Sequence, residues 1–334
     1  MLVLGIESSC DDASAAVLNV TGPGHAAVLS NTLATQEDLH RPYGGVVPEL
    51  ASRNHLLTII PVVERALAQA GAPLEALQGV AVTCGPGLVG SLLVGLMFAK
   101  GLAQQRGLPL VGVNHIEGHL LAPLLEHEPE FPFLSLVVSG GHTELFVVED
   151  LGRYRRLGRT HDDAAGEAFD KVAKLMGLGY PGGRAIDEIA TRGDRRRLRL
   201  PRARVRGERF AFSFSGLKTA VAQLLATAEA AQIKAEDLAA SFQEAVVDAL
   251  VRPTLAAAAE FDLRTITLTG GVAANSRLRA RLKELAEEQG CRLVAPSLGY
   301  CTDNAAMIAL AGSYRLLRGQ SHALDLDAQP SLAL

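Results

Sequence analysis

Two segments of this chain, far apart in sequence, open in the same way: an apolar strand pattern, a tight polar turn, and a second apolar run coming back. Leu2 to Ile6 meets Glu7-Ser8-Ser9-Cys10-Asp11-Asp12 before Ala13 to Val20, and Phe133 to Val138 meets Ser139-Gly140-Gly141 before His142 to Val148. Each opening continues into alternating helical and strand patterns, the signature of layered α/β architecture. Within 334 residues, two such openings predict two α/β lobes facing one cleft. The expected division is an N-terminal lobe over 1–128, a second lobe over 129–302, and a final segment, 303–334, whose helix packs back toward the first lobe. A single doubly wound sheet is the alternative.

The remaining elements follow from periodicity and punctuation. In the first half we expect a strand from His25 to Leu33 and a helix from Pro48 to Ala70, with proline at its start and Gly71 just past its end. A strand from Gly79 to Thr83, a helix from Val89 to Arg106 and a strand from Leu110 to Val113 come next, then a helix at His115 that Pro123 ends or kinks. In the second half helices are expected over Asp163–Met176, Gly183–Thr191, Gly216–Ala231 and Glu236–Phe261. A strand from Thr265 to Thr269, a further helix after Asn275, a strand from Arg292 to Ala295 and a last helix from Asp303 to Leu317 complete the reading.

Composition narrows the function. Hydrophobic residues make up 48 % of the chain, and there is no Trp, so the cores must be aliphatic. A net charge of −4 offers no global attraction to nucleic acid or membrane, and an anionic partner must be met by a local basic patch. Cys10, Cys84, Cys291 and Cys301 form no C-x-x-C pair, which argues against a disulfide framework or a thiolate zinc site. No signal-peptide pattern opens the chain, and nowhere do about eighteen apolar residues run uninterrupted. A cytoplasmic protein with no membrane partner is the expectation.

The chemistry concentrates in four places. His115-Ile116-Glu117-Gly118-His119 sets two imidazoles four residues apart, on one helix face, within reach of one metal ion. The zinc-peptidase motif H-E-x-x-H is close, but the spacing is wrong. At about 100° per residue, a Glu directly after the first His lies roughly 80° from the midpoint of the pair, whereas Glu117 lies roughly 180° away. A metal site fits this helix and a peptidase does not. The other three places are strand-end turns, Glu7–Asp12, Ser139–Thr143 and Thr269–Asn275, where glycines let backbone N–H groups approach an anion. The third also opens a helix, whose N-terminus favours phosphate.

G-I-E-S-S-C-D-D, N-H-I-E-G-H, V-S-G-G-H-T-E, D-D-A-A-G-E-A-F-D-K, G-Y-P-G-G and T-G-G-V-A-A-N-S-R-L, in this order from Gly5 to about Ala311, resemble the bacterial tRNA N6-adenosine threonylcarbamoyltransferase family. The resemblance implies the two-lobed actin/Hsp70/sugar-kinase fold with its central cleft. It also implies transfer of a threonylcarbamoyl group from threonylcarbamoyl-AMP to N6 of the tRNA adenosine beside the anticodon, in tRNAs reading codons that start with A. Carried over by position, His115, His119 and Asp303 (in T-D-N-A-A) are implied metal ligands, and two His with one carboxylate suit Fe(II) first and Zn second. Val137, Val138, Ser139, Gly140 and Gly141 are implied to form the substrate loop. Asp170, Gly183 and Asp187 would hold the nucleoside and Asn275 the adenylate, with an adenine nucleotide in the same cleft. Some relatives outside bacteria place a Tyr ligand where this chain has Val137. A shorter paralogous subunit as heterodimer partner, a P-loop ATPase and a separate enzyme making the adenylate are implied helpers, with Pro48–Ala70 as a partner surface or a packing helix.

Glu7 and Asp11 are catalytic candidates for proton handling or donor positioning, and Asp303 is a possible N-cap of the last helix as well as a ligand. Arg192 to Arg209 holds nine arginines in eighteen residues, read either as a solvated surface or as a phosphate-contacting arm for tRNA. Phe210, Phe212 and Phe214, which follow it, read as core anchors rather than a base-stacking platform. An ATP-dependent small-molecule kinase of the same superfold is the alternative function, and a silent scaffold the third.

Overall fold

The computed structural model describes residues 1–202, 205, 207–227 and 232–334. The chain divides into two compact units, Met1–Glu128 with Pro296–Leu334, and Pro129–Ala295. Each is built on its own five-stranded sheet, so the single doubly wound sheet is not the arrangement adopted.

In the first unit, β1 (Leu2–Glu7), β2 (Ala13–Gly22) and β3 (His25–Ala34) form an antiparallel meander, followed by the short α1 (Glu37–His40) and the long α2 (Pro48–Ala70). Then come β4 (Gly79–Gly85), α3 (Val89–Arg106), β5 (Leu110–Asn114) and α4 (His115–Leu121). The sheet order is β3-β2-β1-β4-β5, with β1, β4 and β5 parallel. Parallel strands buried on both faces read as continuous apolar runs, as LVLGIE and GVAVTCG do. Gly71 ends α2 in the left-handed region at φ 59°, its N–H returning to Ala68 and Leu67, as proline and glycine at the two ends predict. Pro123 lies in a 3-10 turn over Ala122–Leu125 that takes over from α4.

The second unit repeats the plan. β6 (Phe133–Val138), β7 (Thr143–Asp150) and β8 (Arg153–Arg159) form the meander, followed by α5 (Ala165–Leu175), α6 (Gly182–Ala190), α7 (Ser215–Leu225) and α8 (Ala235–Glu260). β9 (Thr265–Thr269), α9 (Ser276–Glu288) and β10 (Arg292–Val294) complete a sheet of order β10-β9-β6-β7-β8. Phe169 of α5 meets Phe242 of α8 edge-on, ring centroids 5.4 Å apart. Residues 228–231 of the helix expected to run to Ala231 lie outside the described residues. The strand β8 was not expected: its sequence, RYRRLGR, is mostly polar and exposed, and only its pairing with β7 makes it a strand.

The chain then returns to the first unit as α10 (Leu298–Cys301) and α11 (Ala305–Leu317). Side chains alternate across a strand, and β1 uses both faces. Leu4 and Ile6 join the core with Ile59 and Val63 of α2 and Leu96 of α3. Gly5 between them faces α11, where an added Cβ would fall on the Ala305 carbonyl oxygen and lie 2.8 Å from the Ala309 methyl. This close approach sets where the loop ahead of α11, with Asp303, comes to rest. After α11 the tail crosses the sheet again: His322 N–H donates to Leu110, and Gln329 N–H to Cys84. No helix among the described residues is long and apolar enough to cross a membrane.

Replacing Gly5 by alanine is expected to destabilise the protein by roughly 1–3 kcal/mol, the cost of overpacking against backbone. Gly101→Ala, in α3 with nothing within 4 Å of the new methyl, should be neutral or stabilising. Equal denaturation midpoints for the two variants would show that the β1–α11 approach is looser than described.

Candidate functional site

β5 ends where α4 begins. Asn114 caps the helix, its side-chain oxygen accepting from Ile116 N–H at 2.8 Å and Glu117 N–H at 3.4 Å, which places His115 at the first helical position and His119 one turn later. The imidazoles lie edge to face, centroids 4.7 Å apart. Asp303 Oδ1 lies 3.2 Å from His119 Nε2 and 3.6 Å from His115 Nε2, and one ligand atom from each of the three residues lies within 4.8 Å of the others. His115 and His119 are buried and Asp303 is half-buried, so the triad opens toward solvent on the carboxylate side. Asp303 is not the cap of α11: that role belongs to Asn304, whose side chain accepts from Met307 N–H at 3.0 Å. Asp303 is left to face the imidazoles.

Glu7, at the carboxyl end of β1, stands behind this triad. Its Oε2 lies 3.0 Å from His115 Nδ1 and accepts from Thr83 Oγ1 at 2.6 Å, and its Oε1 accepts from Ser9 N–H at 2.5 Å. A carboxylate on Nδ1 fixes the tautomer that turns Nε2 toward a metal and raises the ring's basicity. Burial alone would depress the His115 imidazolium, but Glu7 and Asp303 outweigh it and push its pKa up to about 9. Burial alone would likewise raise Glu7, yet the attraction of His115 leaves it below the usual carboxylate range. Two carboxylates beside one imidazole favour positive charge at this place, which fits a divalent cation. His119 moves the other way, held low by burial against the pull of Asp303.

The first turn holds further acids. Asp12 accepts from Gln36 N–H, and burial, with Asp11 and Asp303 nearby, pushes its carboxyl up to about 7. Asp11 stays partly exposed. Glu117 lies away from the imidazoles, fully buried, and takes both oxygens to Arg315 Nη2 at 2.8 Å and one to Tyr314 Oη at 3.1 Å. It ties α4 to α11.

The remaining candidates are all in the second unit. Val137 and Val138 end β6 with their side chains buried. Ser139 N–H donates to the His142 carbonyl at 2.7 Å, and His142 N–H donates to Ser139 Oγ at 3.1 Å, closing a turn in which Gly140 and Gly141 face open space. Val137 pairs with Thr269 across parallel β6 and β9, so the turn after β9 lies beside it; a Cβ on Gly270 (φ +92°) would strike the Val138 carbonyl. A 3-10 turn, Gly271–Ala274, precedes α9, which starts at Ser276, directly after Asn275 as the sequence indicates. Asn275 caps α9 through its oxygen, accepting from Leu278 N–H, while its buried Nδ2 has no partner among the described residues. Asp187 accepts from Ser276 N–H, Ser276 Oγ and Gln243 Nε2. Asp170 accepts from Gly182 N–H at 2.8 Å, beside Gly183, where open space again surrounds the Cα. Of the residues that support these side chains, Ser9 and Ser276 lie in the G-I-E-S-S-C-D-D and T-G-G-V-A-A-N-S-R-L stretches, whereas Thr83, inside β4, carries no signal of its own.

The sequence profile of tRNA N6-adenosine threonylcarbamoyltransferases matches residues 27–310. The chain belongs to that family. The tRNA N6-adenosine threonylcarbamoyltransferase of Geobacter sp. (strain M21) is 54 % identical over 99 % of this chain and 96 % of its own length. That of Symbiobacterium thermophilum is 54 % identical over 100 % and 97 %. Among solved structures, full-length HypF superposes with a TM-score of 0.63 at 16 % identity, over 96 % of this chain and 56 % of that one. The component A of (R)-2-hydroxyglutaryl-CoA dehydratase from Acidaminococcus fermentans does so at 0.56 and 14 %, over 94 % and 96 %. At such identities the likeness shows the fold alone, the actin/Hsp70/sugar-kinase-like class. Membership makes the chain an acyltransferase family member acting in tRNA modification; nothing in the comparisons favours the kinase alternative.

Two expectations follow from the buried network. Glu7→Gln should weaken divalent-metal affinity about 10- to 100-fold by removing the carboxylate behind His115, read by competition with a chelator; unchanged affinity would show that Glu7 does not support the ligand. Glu117→Ala should cost about 1–3 kcal/mol by removing the carboxylate that Arg315 and Tyr314 share, read in the denaturation midpoint. Normal stability with abolished activity would point instead to the general base that its position argues against.

Proposed function

We propose that this chain transfers the threonylcarbamoyl group of threonylcarbamoyl-AMP to N6 of the tRNA adenosine beside the anticodon, in tRNAs reading codons that begin with A. The observation that carries the reading is the convergence of His115, His119 and Asp303 in a chain of a threonylcarbamoyltransferase family. In the reaction N6 forms a bond to the carbamoyl carbon, the bond from that carbon to the phosphate oxygen breaks, and AMP leaves with the electron pair.

His115, His119 and Asp303 would hold one divalent cation, Fe(II) first and Zn second. When bound, it supplies Lewis-acid charge to oxygens of the donor. Glu7 keeps His115 turned toward that position, and Asp11, at the partly exposed rim of the first turn, handles the amine proton or positions the donor. The backbone N–H groups of Ser139, Gly140 and Gly141 offer donors to the phosphate that leaves, with Val137 and Val138 packing the strand end that carries them. Asp170, Gly183 and Asp187 would hold the nucleoside, since a carboxylate is a natural acceptor for ribose hydroxyls. Asn275 would give the adenylate its buried Nδ2, a donor with no partner among the described residues. An adenine nucleotide would use the same turns.

The activity belongs in the cytoplasm. A shorter paralogous subunit as heterodimer partner and a P-loop ATPase complete the proposed machinery. Leu56, Leu57 and Ile60, at 65, 73 and 52 % exposure on α2, support a protein partner on that helix.

Reconstitution with threonylcarbamoyl-AMP, unmodified tRNA and the helper proteins tests the proposal. Nucleoside mass spectrometry should find threonylcarbamoyladenosine with the wild-type chain and roughly a hundredfold less with His115→Ala, given the several kcal/mol a metal contributes to such transfers. Undiminished product with His115→Ala would overturn the reading.

A further inference from the structure

The arginine run is a different feature from either site. Of its nine arginines, Arg204 and Arg206 lie outside the described residues, as does Ala203. Arg202 is paired with Asp248, and Arg209 with Glu260. Arg192, Arg195, Arg196, Arg197 and Arg199 are all exposed, and among the described residues no carboxylate is within ion-pair reach of their guanidinium groups; Arg195 interacts with Glu244 and Glu284 only at longer range.

The backbone beneath them is pinned. Asp194 N–H donates to Asp237 Oδ1 at 2.8 Å, and Leu198 N–H to Ser241 Oγ at 3.1 Å, both on α8. Ser241 Oγ in turn donates to the Asp194 carbonyl, and Arg196 N–H donates to Asp194 Oδ1. Leu200 is buried, and a Cβ on Gly193 would strike the Glu236 carbonyl. The nearby acids, Asp194 and Asp237, are thus occupied in holding backbone, while the guanidinium groups face water. Long cationic side chains held on a fixed backbone and left unpaired are costly in repulsion and useful to a polyanion. Arginine's fork suits phosphate oxygens.

We propose that Arg192–Arg199, clamped to the start of α8, is a docking platform for the phosphate backbone of RNA, with tRNA as its occupant. The choice of RNA rests on the proposed function; the platform itself rests on the pinned backbone and the unpaired arginines. In a chain of net charge −4, the platform supplies the local positive field such a substrate needs.

The test uses the full chain and unmodified tRNA. Binding is measured over a salt series for wild type, for the triple variant Arg196→Gln/Arg197→Gln/Arg199→Gln, for the matching lysine triple, and for a control with the same charge removed elsewhere, Arg41→Gln/Arg53→Gln/Arg106→Gln. The glutamine triple should bind at least about tenfold more weakly near physiological salt. Its log–log salt slope should be flatter by about two, since neutralising one phosphate-binding cation lowers the slope by roughly 0.7 to 0.9. The lysine triple should keep the slope, and the control should bind as wild type does. A glutamine triple that binds like wild type, or a control that falls equally, overturns the platform. If binding depends on the platform yet nucleoside analysis of the reconstituted wild type finds no transferred group, the platform stands and the proposed activity falls.

Discussion

A buried carboxylate 3.0 Å from a buried imidazole, Glu7 against His115, is the interaction on which the metal-facing geometry depends. Either group alone at that depth would be expensive to keep charged. Together, with Thr83 and Ser9 filling the other acceptor positions of the carboxylate, they make a satisfied charged pair that no change of one member leaves intact. The pair joins the end of β1 to the start of α4, and so fixes which ring nitrogen looks outward. Asp303 arrives from the other end of the chain because α11 lies hard against Gly5 of that same strand. The orientation of His115 and the place of Asp303 are both consequences of β1.

Both units place candidate site residues at the carboxyl ends of adjacent parallel strands, where open α/β sheets bind ligands. In the first unit these are the ends of β1, β4 and β5. In the second they are the ends of β6 and β9, where Gly270 packs on the Val138 carbonyl and brings two polar turns side by side. The repeated sheet order gives each unit the same strand-end edge, lined by acidic and imidazole side chains in the first and by glycine-rich turns in the second.

Glu117 illustrates how angular position on a helix can be decisive. Its place two residues after His115 excludes it from the imidazole face whatever the surrounding fold, and the structure uses it for Arg315 and Tyr314 instead. Asp303 shows the opposite limit. One residue separates a capping side chain from a candidate ligand, and local sequence does not distinguish Asp303 from Asn304; the hydrogen bond to Met307 does.

Strand and helix positions in the buried parts of the chain were legible because apolar periodicity and proline–glycine punctuation are local: α2, α3, β6 and β9 run between the residues that their patterns indicate. The wrong angle of Glu117 and the pairing of His115 with His119 were likewise local consequences of helix geometry. What the linear order left open was decided by packing. The polar strand β8 exists only because β7 offers it an edge. The supporting roles of Ser276 and Thr83 arise from partners 89 residues away at Asp187 and 76 away at Glu7. Whether an arginine run is loose or clamped is also a matter of tertiary structure, since the side chains that hold it, Asp237 and Ser241, belong to a helix that the run itself does not encode.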